Sequence, residues 1–348
     1  MRDCVLCGKG NASELLQVCV DCIRRGRAEA LSYAKSAHKQ IRANYGLPAE
    51  PPQSEGGMRC NLCSNECVLK DGERSYCGLK TNVDGKLKSL VPHNQALLYA
   101  YRDTLPTNCC SAWFCPGSAR YGMENVAVFF YGCNFDCIFC QNASHKEFGT
   151  VKAVSVKDFV ARVTQNENAY CVCYFGGSPE PQLPFALRAS EAILAEKEVR
   201  ICWEWNGCGN KTLVKRAAEL SFKSGGFVKF DLKAFDQNLS VALSGVSNAR
   251  AYENFELIAT NYFEKSDPPV LTATTLLVPF YVDEQEVEQI AQFIASINPD
   301  IPYSLLVFHP SFYMQGMLIT PREQVFKCYE TAKKYLNKVN IGNQQLLL

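Results

Sequence analysis

The chain has 348 residues, 47% of them hydrophobic, and its 36 basic and 35 acidic side chains give a formal net charge of +1. A chain this close to neutrality lacks the basic footprint of a nucleic-acid-binding protein, and no apolar run is long enough to span a bilayer. The first residues, MRDCVLCGKG, lack the apolar segment of a signal peptide, so we expect a cytoplasmic protein that binds neither nucleic acid nor a membrane.

Cysteine is the most unusual feature of the composition, with 19 residues. Disulfide-stapled secreted proteins are usually much shorter than this chain. The odd count, the missing export signal and the repeated CxxC spacings favour metal ligation over disulfide bonding. We therefore expect the grouped cysteines to bind metal in a reducing cytosol.

The first cysteine group lies within residues 1–46, which are predicted to form a small metal-binding module with a helix. Its members, in two CxxC pairs, are Cys4, Cys7, Cys19 and Cys22. This spacing predicts a compact zinc knuckle, because so short a segment needs a metal to supply its folding energy. Apolar residues at helical spacing predict a helix over about residues 23–45. The proline- and glycine-rich residues 47–57 predict a linker.

A second cysteine-rich segment is predicted over residues 58–122. Its clustered members are Cys60, Cys63, Cys67 and Cys77. Four close thiolates suit structural zinc or an auxiliary iron–sulfur cluster, and zinc or a purely structural role is favoured because no ligand is missing. Three more cysteines either complete an auxiliary cluster or pack in the core: Cys109, Cys110 and Cys115.

From about residue 123 onwards, short β-rich runs alternate with segments of helical period. The predicted strands are 125–132, 169–177, 199–207, 226–233, 270–279 and 303–310, with helices at 156–165, 184–198, 210–224 and 284–297. Apolar strands that alternate with amphipathic helices indicate buried parallel strands and right-handed crossovers. Residues 123–348 are therefore predicted to form an α/β fold, a partial (β/α)6 barrel with its chemistry at the C-terminal strand ends.

The end of the first predicted strand carries the sequence GCNFDCIFCQN, in which Cys133, Cys137 and Cys140 have CxxxCxxC spacing. Three thiolates suit a four-iron cluster in which one iron keeps an open position, as an open zinc site does. Simple packing of apolar cysteines in a loop is the alternative. That alternative explains neither the spacing nor the position directly after a strand.

The cysteine loop and the later strand ends resemble the radical S-adenosylmethionine (SAM) superfamily, over residues 58–348. The resemblance is strongest to the branch that contains pyruvate formate-lyase activating enzymes and the radical SAM protein of the AmmeMemoRadiSam system. It implies that the open iron of a 4Fe-4S cluster binds SAM, whose reductive cleavage yields a 5′-deoxyadenosyl radical that abstracts hydrogen from a substrate. In such chemistry the protein positions the cofactors and excludes water.

The resemblance also implies a SAM pocket at the strand ends. GGSPEP ends the second strand where the family usually has GGEP, so Ser178 stands at the acidic position and Glu180 is its candidate substitute. The two glycines would let the backbone approach the ligand closely. The residues expected to bind SAM are Gly176, Gly177, Ser178, Glu180, Asn206, Asp231, Lys233 and His309.

Two residues are candidates for a direct part in the reaction: Cys208, just beyond the third strand, and His309, at the end of the sixth. A thiol at the barrel mouth could quench a substrate radical, and a purely structural thiol is the alternative for Cys208. Cys171 and Cys173 share one face of the second strand, where core packing is expected.

The resemblance further implies a protein or peptide substrate and an electron donor of the flavodoxin or ferredoxin type. A cobalamin-dependent radical methyltransferase of a protein is a second candidate function, although no recognisable cobalamin domain flanks the barrel. A zinc-ribbon adaptor that uses the barrel as a scaffold is the non-enzyme alternative. An adaptor, however, needs no cysteine triad with an open iron.

Overall fold

Two helices and two small hairpins precede the main sheet in the structure, a computed structural model that describes residues 1–107, 109–149 and 151–347. These elements are α1 (Val20–Arg24), α2 (Ala28–Ala43), the antiparallel pair β1 (Met58–Arg59) and β2 (Val68–Leu69), and the antiparallel pair β3 (Lys80–Val83) and β4 (Lys86–Ser89). The residues that fall inside predicted segments but outside the described ones are Asn108, Thr150 and Leu348.

The helix predicted over residues 23–45 is wrong in its extent, because the structure has two helices in this region. Gly26 lies between them with a positive φ of 63°. Glycine adopts this left-handed conformation without the steric cost that other residues meet, so the chain turns after α1 and begins α2 in a new direction.

A sheet of nine strands forms the centre of the described part of the chain. In chain order its strands are β5 (Gln95–Thr104), β6 (Glu124–Phe130), β7 (Ala153–Ser155), β8 (Ala169–Phe175), β9 (Arg200–Trp205), β10 (Val228–Asp231), β11 (Leu271–Leu277), β12 (Tyr303–Val307) and β13 (Val339–Gly342). The spatial order is β13-β12-β11-β10-β9-β8-β6-β5-β7. Neighbouring strands from β6 to β13 are parallel, whereas β5 pairs antiparallel with both β6 and β7.

Helices connect the parallel strands and confirm the predicted α/β partial barrel. They are α3 (Val156–Thr164), α4 (Leu183–Glu196), α5 (Lys211–Ser224), α6 (Gln237–Ser244), α7 (Ala249–Tyr262), α8 (Glu284–Ile297) and α9 (Arg322–Lys333). Strand β13 extends the six predicted strands to seven parallel ones, and its four residues, VNIG, are too few for a periodic pattern. Strand β5 lies in the predicted segment 58–122, so the sheet continues across the expected boundary at residue 122. Every helix in the described ranges is too short or too polar to cross a bilayer.

The two faces of the parallel strands differ in chemistry. On the outer face, beneath the helices, the rings of Tyr174 and Trp203 stack with their centroids 4.7 Å apart, and both are fully buried. The inner face carries thiols, charged groups and one aromatic ring that line the barrel cavities: Cys171, Cys173, Cys202, Glu204, Lys229, Asp231 and Phe175. Because alternate residues of a strand point to opposite faces, strands that look apolar in sequence also build a polar interior.

The N-terminal module packs against the barrel. The Tyr281 hydroxyl, just after β11, accepts a hydrogen bond from the Ser13 backbone N–H and donates one to the Val18 carbonyl, each at 2.9 Å. Arg24 of α1 forms an ion pair with Asp283, which precedes α8. Because the Tyr281 contacts are buried, the module and the barrel stabilise each other.

Replacing Tyr281 with Phe should lower the free energy of unfolding by about 1–3 kcal/mol, because a buried N–H and a buried carbonyl would lose their partner. Urea unfolding of the full chain, followed by circular dichroism, measures the change. Tyr329→Phe is the control, since Tyr329 is a half-buried tyrosine on α9, remote in sequence from the module. Equal stability of the two variants would contradict a stabilising contact between the Tyr281 hydroxyl and the N-terminal module.

Candidate active site

The loop that follows β6 carries the three cysteines of the CxxxCxxC motif. Cys133 is buried, and Cys137 and Cys140 are half-buried. The Phe135 backbone N–H donates to Cys133 Sγ at 3.3 Å, and Cys137 Sγ lies 3.4 Å from Ser244 Oγ at the end of α6. The loop is held from two sides, and its three thiols lie at the C-terminal end of the sheet.

Asp136, inside this cysteine loop, is fully buried and contacts three basic side chains. His38 Nδ1 lies 2.7 Å from one carboxylate oxygen, while Lys146 Nζ and Arg42 Nη1 lie 2.5 Å and 3.3 Å from the other. Burial opposes the charge, but the hydrogen bond with His38 and the charges of Lys146 and Arg42 outweigh it and lower the Asp136 pKa to about 2. His38 and Arg42 belong to α2, so the N-terminal helix holds the cysteine loop directly.

A second network ties the same loop to the ends of β8 and β9. The Asn206 amide nitrogen donates to Asn134 Oδ1 at 2.8 Å and to Ser178 Oγ at 3.1 Å. Asn206 Oδ1 in turn accepts from the Cys208 backbone N–H at 3.0 Å. Asn206 therefore positions two strand ends against the cysteine loop.

The three thiols open onto a cavity of about 220 Å³ at the C-terminal strand ends. Six residues predicted to bind SAM line it as well: Gly176, Gly177, Ser178, Asn206, Asp231 and Lys233. Gly177 has a φ of 59°, and a Cβ at this position would lie 2.1 Å from the Phe130 carbonyl oxygen. A side chain there would be strained and would clash with backbone, so the turn after β8 requires glycine to lie this close to β6.

Three other predicted residues are not among those that line the cavity. Glu180 is fully buried, and its Oε1 accepts from the Gly207 backbone N–H at 2.9 Å. Cys208 is also fully buried, and burial raises its pKa to about 12. His309 is exposed beyond β12. The structure brings none of the three to the cavity wall, although each follows a strand as predicted.

Comparison with known proteins indicates the family to which this part of the chain is similar. Residues 127–294 match the model of the radical SAM superfamily. The chain is an enzyme with a radical SAM domain. The resemblance seen in the sequence is thereby confirmed, and membership of this family implies a 4Fe-4S cluster and SAM as cofactors.

Several relatives of this radical SAM enzyme are known. A candidate glycyl-radical enzyme activating enzyme of Methanocaldococcus jannaschii is 25% identical over 219 residues, covering 62% of this chain and 80% of the relative. An uncharacterised protein of the same organism is 28% identical over 299 residues, 82% of this chain and 81% of that protein. The isethionate sulfite-lyase activating enzyme of Desulfovibrio desulfuricans is 31% identical over 138 residues, 38% of this chain and 40% of that enzyme.

The cavity of about 220 Å³ beside the three thiols, the radical SAM cavity, has a polar atom available for a ligand. Lys233 pairs with Asp231 Oδ2, whereas Asp231 Oδ1 has no hydrogen-bond partner in the described part of the chain. Buried polar atoms are normally satisfied, so this wall fits a polar ligand that completes its hydrogen bonds.

The donor set of the radical SAM motif fits an iron–sulfur cluster. Burial raises the pKa of all three thiols, that of Cys140 to about 11. The charge of Lys233 opposes this rise at Cys137 and Cys140. Burial thus favours protonated thiols, and bound iron is what would hold them as thiolates.

The four N-terminal cysteines converge on one point. Their sulfur atoms all lie within 4.8 Å of one another, with Cys4 and Cys22 at 3.9 Å and Cys7 and Cys19 at 3.6 Å. Four sulfur ligands about 2.3 Å from a tetrahedral zinc ion lie about 3.8 Å apart. The separations therefore match a single tetrahedral ion.

The second cysteine group lies beside the barrel mouth. Burial raises the pKa of the Cys63 thiol, and the charge of Cys77 adds to this rise, with smaller contributions from Cys67 and Cys60. Cys63 also forms an isolated antiparallel bridge with Gly209, which follows β9. This segment therefore contacts the strand end that carries Asn206 and Cys208.

Sequence reasoning missed Asn134, Asp136 and Lys146, which organise the cysteine loop. The signal for Asp136 was an acidic residue among apolar ones in the loop, but nothing local identified its partners. His38 is 98 residues away in sequence and Lys146 is 10 residues away. Only the folded chain brings these side chains together.

The stability of the protein should depend on the ionisation of Glu180. Burial raises the Glu180 pKa to about 7 from an ordinary 4.5, against the opposing hydrogen bonds of Ser178 and Gly207. A carboxyl group whose pKa is higher in the folded state binds its proton more tightly there. Stability should therefore fall by up to about 3 kcal/mol as pH rises through this window.

Urea unfolding of the anaerobically reconstituted protein between about pH 5 and pH 8 measures this slope. Glu180→Gln should remove that part of the pH dependence, because a neutral amide keeps an oxygen acceptor and does not titrate. Glu191→Gln, at a half-exposed carboxylate of α4, is the control and should keep the slope of the parent. An identical slope in Glu180→Gln and the parent would contradict the raised pKa.

Proposed function

We propose that the chain cleaves SAM reductively at a 4Fe-4S cluster held by Cys133, Cys137 and Cys140, and abstracts hydrogen from a protein or peptide substrate. The cavity that joins this triad to Asp231 and Lys233 carries the proposal. When bound, the cluster and SAM supply a 5′-deoxyadenosyl radical. The chain's own residues bind and orient these groups and keep water away from them.

Asp231 and Lys233 are the proposed partners of the charged groups of SAM. Both side chains line the cavity, and that of Lys233 is only 12% exposed. A buried ion pair is costly unless further hydrogen bonds complete it, and Asp231 Oδ1 still has capacity for one. Gly176 and Gly177 offer backbone groups to the same space. The roles suggested above for Glu180, Cys208 and His309 stay predictions.

A protein substrate is supported by the relatives that are named as activating enzymes. We further propose an electron donor of the flavodoxin or ferredoxin type. The cobalamin-dependent methyltransferase remains the alternative, and a corrinoid spectrum of the purified protein would distinguish it. The zinc-ribbon adaptor is not favoured, because the chain is an enzyme.

Zinc at the N-terminal knuckle is a separate part of this proposal. The sulfur separations of 3.9 Å and 3.6 Å support a single ion bound by the first cysteine group. The ion would stabilise the fold of the module, which in turn holds the cysteine loop through α2. Structural zinc in the second cysteine group stays a prediction, with an auxiliary cluster as its alternative.

Replacing Cys133, Cys137 or Cys140 with Ala should abolish reductive SAM cleavage, because each removes a ligand of the proposed cluster. Anaerobic iron and sulfide analysis and 5′-deoxyadenosine yield with a chemical reductant measure the effect. Cys328→Ala, which removes a buried thiol of α9, is the matched control and should retain both. Full cleavage by any one of the three variants would refute the assignment.

Replacing Asp231 or Lys233 with Ala should leave the cluster intact and weaken SAM binding. Loss of a charge-assisted hydrogen bond costs about 1.5–3 kcal/mol, which corresponds to roughly ten- to a hundredfold in affinity. Equilibrium SAM binding to the reconstituted variants measures the loss, and Lys211→Ala on the exposed side of α5 is the control. Parental affinity in both variants would show that the SAM pocket lies elsewhere.

A further inference from the structure

A second cavity, of about 230 Å³, lies inside the barrel towards the N-terminal halves of the strands. Five thiols line it: Cys109, Cys115, Cys171, Cys173 and Cys202. Phe175 and Glu204 line both this cavity and the radical SAM cavity, so the two share a wall. The proposed function uses none of these thiols.

Three potential metal ligands meet at the edge of this second cavity. One sulfur each from Cys109 and Cys110 and a carboxylate oxygen of Glu204 all lie within 4.8 Å of one another. Thiolates and carboxylates are common zinc ligands. A site with three protein ligands leaves the fourth position of a tetrahedral ion open, as in catalytic rather than structural zinc sites.

The loop that carries the two cysteines is fixed in place. Trp113 Nε1 donates to Ser304 Oγ at 3.0 Å, and Ser304 Oγ donates to the Cys110 carbonyl, also at 3.0 Å. Phe114 packs its ring edge-on against Phe227 with 5.4 Å between centroids. Because Ser304 lies on β12, the loop is attached to the strand framework. The two thiols are therefore preorganised opposite Glu204 of β9.

A buried ammonium group completes the surroundings of the three ligands. Lys229 is 2% exposed, and its Nζ lies 3.0 Å from Glu204 Oε2, 3.2 Å from Cys109 Sγ and 3.3 Å from Cys173 Sγ. Buried charges need compensation. Two thiolates and a carboxylate carry three negative charges, Lys229 offsets one, and a divalent cation would balance the other two. Lys229 would then orient Cys109 and Glu204 as ligands.

We propose that Cys109, Cys110 and Glu204 bind a zinc ion whose open fourth position faces the second cavity. Soft thiolate ligands select zinc among the common divalent ions of cells. A Lewis-basic group of the substrate, such as a thiolate, an imidazole or a carboxylate, would occupy the open position beside the radical SAM cavity. This last step rests on the proposed function, whereas zinc binding itself does not.

Metal analysis of the full chain tests the site. The Cys109→Ala/Cys110→Ala double variant should lose about one equivalent of zinc per chain relative to the parent, with iron and sulfide unchanged. Cys171→Ala is the matched control, because it removes a thiol of the same cavity that is not a proposed ligand. Lys229→Met should keep the ligands but weaken zinc binding about tenfold or more, since ligand orientation is lost.

Residue-resolved alkylation keeps the proposal testable even if the double variant folds poorly. In the parent protein, a chelator should increase alkylation of Cys109 and Cys110 as it removes the zinc ion. In Glu204→Gln both thiols should react without a chelator. Unchanged zinc in the double variant would overturn the proposal, as would chelator-independent alkylation of the parent.

Two further outcomes distinguish the zinc site from an auxiliary iron–sulfur cluster and from a failure of the proposed function. If the double variant lost iron and sulfide together, Cys109 and Cys110 would be ligands of an auxiliary iron–sulfur cluster. That result would overturn the zinc site. If the parent protein formed no 5′-deoxyadenosine, that result would instead contradict the proposed function. Zinc content and alkylation are read independently of SAM cleavage, so the two failures are distinguishable.

Discussion

The buried carboxylate of Asp136 is the interaction on which the geometry of the candidate site depends. It lies between two cysteines of the motif, and its partners come from α2 and from the segment after the loop. A carboxylate removed from water needs such partners, and removing one partner of a buried pair typically costs about 3–5 kcal/mol. The N-terminal module therefore does more than carry its own four cysteines, because two residues of its second helix hold the cysteine loop against the barrel.

The barrel interior follows from the alternation of side chains along the strands. On β10 and just beyond it, Lys229, Asp231 and Lys233 all face inwards, and Asp231 and Lys233 serve one cavity while Lys229 serves the other. Glu204 of the neighbouring strand pairs with Lys229 in register and belongs to both cavities. Inward charges of opposite sign neutralise one another, which lets a polar interior coexist with the apolar packing outside the sheet.

The cysteines fall into groups with different geometry. The N-terminal thiols lie at separations that suit one tetrahedral ion. The motif of Cys133, Cys137 and Cys140 is not among the sets of the described residues whose ligand atoms meet within 4.8 Å. A multi-iron cluster needs more widely separated ligands than a single ion, so this difference agrees with the different groups expected at the two places.

The sequence by itself determined the class of fold, the position of the cysteine triad and the family, because these depend on local spacing and on hydrophobic period. The residues after successive parallel strands also had to gather at one edge, so Ser178, Asn206 and Asp231 were predicted together. Only the tertiary structure decided that Glu180 and Cys208 are buried outside the cavity wall, since the placement of a side chain beyond a strand depends on the turn that follows. It alone joined Asp136 to α2, and Cys109 to Glu204, because contacts between distant segments are set by how the whole chain packs.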